Sequence, residues 1–290
     1  MDAVLWGLAT ALGWGIADFF ARLTARRFGT LFSVAAMLFT SSLILTTVAF
    51  FQDEPIAWHW ESLHFLLLGT LGVLLGTSLF YWGLARGPVS LVATIMAGYP
   101  AFNLVIAVAL GIAISLGQWV LMVLVIAGVV TVSKTSKGID SPERHKTEEL
   151  TTTITIAIVS ALSMAIGLAG IQLAAQSYGE WGTLLFSRWV GALLAIVAIL
   201  VCRPVKPAFS LGLAGLLVLQ GLLDGGAYLA LLFGSHGDGM AIVVVVASCF
   251  TVVTLVLARI FLKERMGVIQ SLGILMVIGG VTGLAYLGVM

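Results

Sequence analysis

Charge is what this chain has least of. Asp, Glu, Lys and Arg make up 9% of its 290 residues, against about 25% in soluble domains, too few to cover an ordinary water-facing surface. Its two cysteines, Cys202 and Cys249, stand at the end of one apolar run and inside another. They provide neither a disulfide framework nor a metal spacing. The four histidines, His59, His64, His145 and His236, lie in or beside polar segments without the spacing or neighbouring carboxylates of a zinc site. No phosphate-cradling Gly-Lys motif occurs, which speaks against an ATP-driven pump. No enzymatic constellation is left, so no catalytic residue, metal or other cofactor is expected.

What the chain has in excess is apolar surface: 60% of its residues are hydrophobic and the mean hydropathy is +1.14. Polar residues fall in short segments between apolar stretches of about 20 residues, the length that crosses about 30 Å of hydrocarbon. Ten such stretches can be drawn, over 3–22, 31–51, 63–84, 88–110, 116–133, 152–175, 182–202, 210–233, 239–262 and 267–288. The expected fold is an all-α polytopic membrane protein of ten transmembrane helices. The first stretch follows Met1 and Asp2 with no basic segment or small-residue cleavage site before it, and reads as a retained span rather than a signal peptide. Glycine, at 33 residues, exceeds its usual share of about 7%. GxxxG spacings at Gly72/Gly76 and Gly221/Gly225 suit close helix packing in lipid.

Basic residues sort the loops into two sets. Taking alternate loops, one side of the membrane holds every lysine and arginine except Arg188, clustered at 22–27, 86, 134–146, 203–206 and 259–265. By the positive-inside rule these loops are cytoplasmic and both termini are extracytoplasmic, in a plasma (inner) membrane. The other side carries Asp53, Glu54, Glu61, Glu180 and Asp238, with Trp58, Trp60, Trp119 and Trp181 near span ends as markers of the outer headgroup zone. The one-sided basic charge is therefore topology and not a nucleic-acid footprint, and the expected partners are the lipid bilayer and a small molecule.

The longest polar segment, "SKTSKGIDSPERHKTEEL" at 133–150, reads as a solvated cytoplasmic linker. It divides the chain into a first five-helix repeat (1–133), the linker (134–151) and a second repeat (152–290). Sliding the sequence by about 150 residues sets "ALGWGIAD" at 11–18 on "ALSMAIGL" at 161–168, "FGTLFS" at 28–33 near "GTLLFS" at 182–187, and Gly76 on Gly226. Five spans per half is an odd number, so the second half enters the membrane upside down. Inverted repeats of this kind characterise secondary transporters, whose substrate site lies between halves that expose alternate faces.

Ten spans in two halves, Trp14–Gly15 in the first helix, "LKER" at 262–265 before the last, and Arg188 early in the seventh resemble the EamA type of the drug/metabolite transporter superfamily across the whole chain. The resemblance implies an exporter or exchanger of amino acids and other small metabolites, monomeric or weakly dimeric, with a cavity formed mainly by helices 1–4 and 6–9. Two departures stand out. The family's Gly-Glu turn after the fourth helix is missing, since "GIAISLG" at 111–117 has no acid, and the first-half counterpart of Arg188 is near Val34.

Setting aside residues close to the loops, three intramembrane charges remain: Asp18, Arg188 and Asp224. An arginine within a span costs about 2.5–3.5 kcal/mol on insertion scales and is a functional suspect by default. Arg188 lies roughly 6 Å, and Asp224 roughly 3 Å, to the outer side of their helix midpoints at 1.5 Å per residue. Helices 7 and 8 share a short loop and are expected to be neighbours, so one reading is an Arg188–Asp224 ion pair. The other has Arg188 taking a substrate carboxylate or phosphate, with Asp224 as its resting partner or as a proton-linked acid. A pair that opens when substrate arrives would satisfy both.

Asp18 precedes Arg22 by one turn, which predicts an i,i+4 pair at the interface; the alternative is a cation or proton site beside the indole of Trp14. Tyr81, Tyr99 and Tyr228 can line an aromatic pocket. Asn103 is expected to hydrogen-bond a neighbouring helix, and Pro100 to kink the fourth. The sequence therefore reads as a secondary transporter of a small metabolite, an amino acid or related solute, coupled to protons or a counter-solute. The alternatives are a divalent-cation transporter or channel of the same fold, which should show rings of acids, and a non-transporting membrane scaffold.

Overall fold

The computed structural model describes residues 2–52, 59–109, 111, 113–136, 144–204, 211–234, 240–264 and 266–289. Asp53, Glu54, Trp58, Lys137, Lys206, His236, Asp238 and Arg265 lie outside the described residues. Those described form helices and no strand: α1 (Asp2–Phe28), α2 (Thr30–Ala49), α3 (Leu63–Arg86), α4 (Val89–Ala97), α5 (Tyr99–Ala109), α6 (Leu116–Ser136), α7 (Arg144–Cys202), α8 (Leu211–Gly234), α9 (Met240–Ala247), α10 (Phe250–Phe261) and α11 (Val268–Val289). A short 3-10 turn, Trp60–Ser62, precedes α3. Among the described residues nine helical segments are long and apolar enough to cross a membrane, counting α4 with α5 and α9 with α10 as one each.

The largest difference from the sequence reading lies between the sixth and seventh stretches. Residues 176–181, expected as a loop between the sixth and seventh stretches, continue the helix, and α7 runs for 59 residues. At 1.5 Å per residue that is roughly 90 Å, about three hydrocarbon thicknesses. It does not run straight: Gly179 sits at φ 71°, ψ 169°, outside helical geometry, so two helices meet there at a kink. A side chain at this φ would meet its own backbone, which is why glycine occupies the bend. At its other end α7 begins at Arg144, so the last part of the polar segment read as a linker is helical.

The fourth and ninth stretches are each interrupted. α4 ends at Ala97 and α5 restarts at Tyr99, with Pro100 in its first turn, where a missing N–H costs no helical bond. α9 ends at Ala247 and α10 begins at Phe250.

Helices approach closely where side chains are smallest. α3 runs antiparallel to the first part of α7, with Gly69 against Gly170 and Ile171, Gly72 against Gly167, and Gly76 against Met164. A Cβ on Gly72 would lie 2.5 Å from the Gly167 Cα, a backbone atom that cannot rotate away. The second GxxxG behaves likewise, Gly221 and Gly225 facing Thr40 and Ile44 of α2. Gly72→Leu is therefore expected to destabilise the fold by at least about 1–3 kcal/mol through overpacking. Leu71, 52% exposed on the neighbouring face, should tolerate alanine, and the melting temperatures of the two purified variants would show the contrast.

The main core draws Ala21, Val34, Leu84, Ile95, Ala161 and Leu255, among others, from α1, α2, α3, α4, α7 and α10. Large aliphatic side chains such as Leu75, Leu193, Leu200 and Leu275 point outward and are more than half exposed. So extensive an apolar exterior matches lipid rather than water. Trp60 is exposed, but Trp181, expected at the headgroup zone, is 7% exposed and packs near Phe233; it is a core residue.

Candidate functional site

A group of polar residues inside the bundle converges on one stripe of α8. Gln220, Asp224 and Tyr228 follow at four-residue spacing and so share a helix face. From α7, Arg188 reaches this stripe: its Nη1 lies 3.0 Å from Asp224 Oδ2, and its guanidinium carbon lies 4.1 Å from the centroid of the Tyr228 ring. Arg188 is 6% exposed and Asp224 9%. An ion pair, a cation–π contact and burial together explain how the guanidinium is held among apolar helices. The expectation that α7 and α8 are packed neighbours needs correction: α2 packs against both, and its Met37 Sδ lies 3.9 Å from Arg188 Nη1. The two charged side chains meet beside α2 because the long arginine side chain of Arg188 reaches across to the short carboxylate of Asp224.

Asp18 does not pair with Arg22. Arg22 points away, donating from Nη1 to the Leu84 carbonyl at 3.0 Å and to the Gly87 carbonyl, with the Glu264 carboxylate 3.9 Å off. The free carbonyls at the end of α3 and an acid on another loop outbid a neighbour one turn away. Asp18, half-buried, has neither a hydrogen bond nor an ion pair among the described residues. It lies within electrostatic reach of Asp224, Tyr81 and Tyr228. One turn along α1, the Trp14 ring meets Tyr228 edge-on at 5.0 Å and Phe250 at 6.0 Å between centroids. Phe250 begins α10, just past the break in the ninth stretch.

Tyr81 belongs to the same cluster through residues that the sequence reading passed over. Gln220 Nε2 donates to Tyr81 Oη at 2.8 Å, and Gln220 Oε1 accepts from Thr24 Oγ1 at 2.7 Å. Thr24 in turn lies 2.5 Å from Ser33 Oγ. The signal for Gln220 was available, since it precedes Asp224 by one turn in an otherwise apolar helix. Tyr99 stands near enough to Tyr228 to interact with it. Asn103 is the exception: its Oδ1 is buried without a hydrogen-bond partner, so the expected interhelical bond through this carbonyl is not made. Among the described residues no group of His, Cys, Asp and Glu could hold a metal ion.

Long apolar helices that bury an ion pair among themselves define a multi-pass membrane protein. The sequence matches the EamA-like transporter family over residues 1–134 and 151–286, and the chain belongs to that family, a transporter family of the drug/metabolite transporter kind. A small-molecule substrate and a membrane location follow from this membership. One solved crystal structure superposes on the chain with a TM-score of 0.62 at 13% identity, covering 97% of this chain and 95% of its own, a likeness of fold. No curated protein matches the chain.

Proposed function

We propose that the chain is a secondary transporter of ten spans in two inverted repeats, 1–133 and 152–290, that carries a small metabolite by alternating access past the Arg188–Asp224–Tyr228 cluster. The observation that carries this reading is a bundle of apolar helices in which Asp18, Tyr81, Arg188, Gln220, Asp224 and Tyr228, from α1, α3, α7 and α8, lie within reach of one another. Taking α7 as two crossings joined at Gly179 supports the count of ten. Helix directions agree with it: α1 is antiparallel to α8 and parallel to α9 and α10, α3 is antiparallel to the first part of α7, and α2 is parallel to α8. The interruptions at Gly98 and Cys249 fall at matching places in the two halves, a known pointer to a transporter's binding site. The basic loops favour cytoplasmic placement of the α1–α2 and α3–α4 turns, with both termini outside.

In this reading Trp14, Asp18, Tyr81, Tyr99, Asn103, Arg188, Asp224 and Tyr228 belong to the substrate path. Net movement is outward, as an exporter or exchanger of an amino acid or related solute, driven by a proton or counter-solute gradient. Counterflow in proteoliposomes, screened over amino acids, nucleosides, polyamines and sugar phosphates, tests it. Arg188→Lys keeps the charge opposite Asp224 but loses the planar guanidinium. The variant should fold and transport at least about tenfold more slowly, the scale of one well-placed interaction. Wild-type kinetics for Arg188→Lys would overturn the role of Arg188, and no counterflow with any solute class would overturn the transport reading.

A further inference from the structure

The buried charges do not balance, and the imbalance bears on what the site takes. Arg188 is already answered: Asp224 occupies its Nη1 at 3.0 Å, and Tyr228 covers its face at 4.1 Å. An anionic substrate would have to displace a carboxylate from a pair that is nearly dry, leaving Asp224 uncompensated in low dielectric. Asp18 is in the opposite position. It has no hydrogen-bonding or ionic partner among the described residues, and Arg22, the arginine one turn along, is committed to the α3 carbonyls with Glu264 3.9 Å away. Its charged neighbour within electrostatic reach is Asp224, a like charge. With Asp18 ionised, two carboxylates and one guanidinium leave the cluster one positive charge short, a charge that a bound cation can supply.

The surroundings of Asp18 suit an organic cation in particular. Trp14, one turn away, and Tyr228 present aromatic surface at 5.0 Å from each other, with Phe250 beyond. Aromatic faces attract ammonium groups, the more strongly when water is excluded, and they also accept the apolar body such a solute carries. We infer that the site selects solutes bearing an ammonium group, which Asp18 pairs with beside Trp14 and Tyr228, while Arg188 stays held by Asp224. This rests on the transport reading above and narrows it. A zwitterionic amino acid satisfies it through its amine, and a purely anionic metabolite does not.

The test uses the full-length protein in detergent and matched probes: benzylamine against benzoate, and cadaverine against glutarate. The amines should raise the melting temperature by about 5 °C at saturation, and the acids should not. Asp18→Asn should weaken amine binding at least about tenfold, and Asp18→Glu should restore part of it. A pH-sensitive dye inside proteoliposomes separates an organic cation from a bare proton. Amine uptake that survives collapse of the pH gradient supports the organic cation, and proton flux without amine binding overturns it. Preference for benzoate or glutarate would overturn this inference and leave the transport reading standing. Amine binding unchanged in Asp18→Asn would remove Asp18 from it. Stabilisation by neither class would count against binding at this cluster altogether.

Discussion

Arg188→Ala and Asp224→Ala are each expected to destabilise the folded protein by about 3–5 kcal/mol, because each leaves a buried charge without its partner. The two side chains are 7% and 12% exposed, so water cannot replace the lost partner. Asp224→Asn should cost less than alanine, since its amide oxygen can still accept from Arg188 Nη1. The charge-exchanged pair, Arg188→Asp with Asp224→Arg, should regain part of the loss. It cannot regain all of it, because the Tyr228 ring lies over the present guanidinium position at 4.1 Å. An apolar pair, Arg188→Met with Asp224→Leu, should fold nearly as well as the parent, as replaced buried ion pairs often do, and should transport nothing. Thermal unfolding in detergent read through a double-mutant cycle decides the matter. Losses that simply add, with no recovery in either double variant, would mean that the 3.0 Å contact contributes no coupling.

The apolar stretches were legible because crossing a bilayer demands length and hydropathy and little else. That requirement also explains why a loop was expected between the sixth and seventh stretches. Between 176 and 181, "QSYGEW" is polar enough to look like a loop, but backbone hydrogen bonding favours keeping the helix and placing the whole change of direction at Gly179. Arg188 and Asp224 could be singled out from depth alone. Their route past α2 could not, because a hydrophobicity pattern carries no information on which helices pack side by side. Asp18 and Arg22 show the limit of local spacing: four residues make a pair available, but the carbonyls of Leu84 and Gly87 at the end of α3 take the arginine. Gln220 was missed for a different reason, since an uncharged amide in a span raises no alarm on an insertion scale. Its spacing from Asp224 was visible, but its partners, Tyr81 and Thr24 on two other helices, were not.

Glu264 in the "LKER" turn is expected to matter as much for the α3–α4 turn as any residue within that turn. Its two carboxylate oxygens accept from the backbone N–H groups of Val89 and Ser90, at 2.8 and 3.0 Å. These are donors in the first turn of α4, and Pro88 at the cap has no side chain to satisfy them. Arg22 serves the other side of the same turn by donating to Leu84 and Gly87 at the end of α3. Glu264→Ala should therefore cost about 2 kcal/mol, the upper end for a lost cap and within the range for hydrogen bonds to a charged group. Glu264→Gln, with one accepting oxygen in place of two, should lose about half as much. Arg22→Ala should destabilise for its own reason, by freeing two carbonyls. At 3.9 Å the Arg22–Glu264 contact itself is weak, so the two alanine losses should add to within about 0.5 kcal/mol. A coupling above about 1 kcal/mol would show instead that the ion pair, and not each residue's grip on the backbone, holds α1, the α3–α4 turn and the end of α10 together.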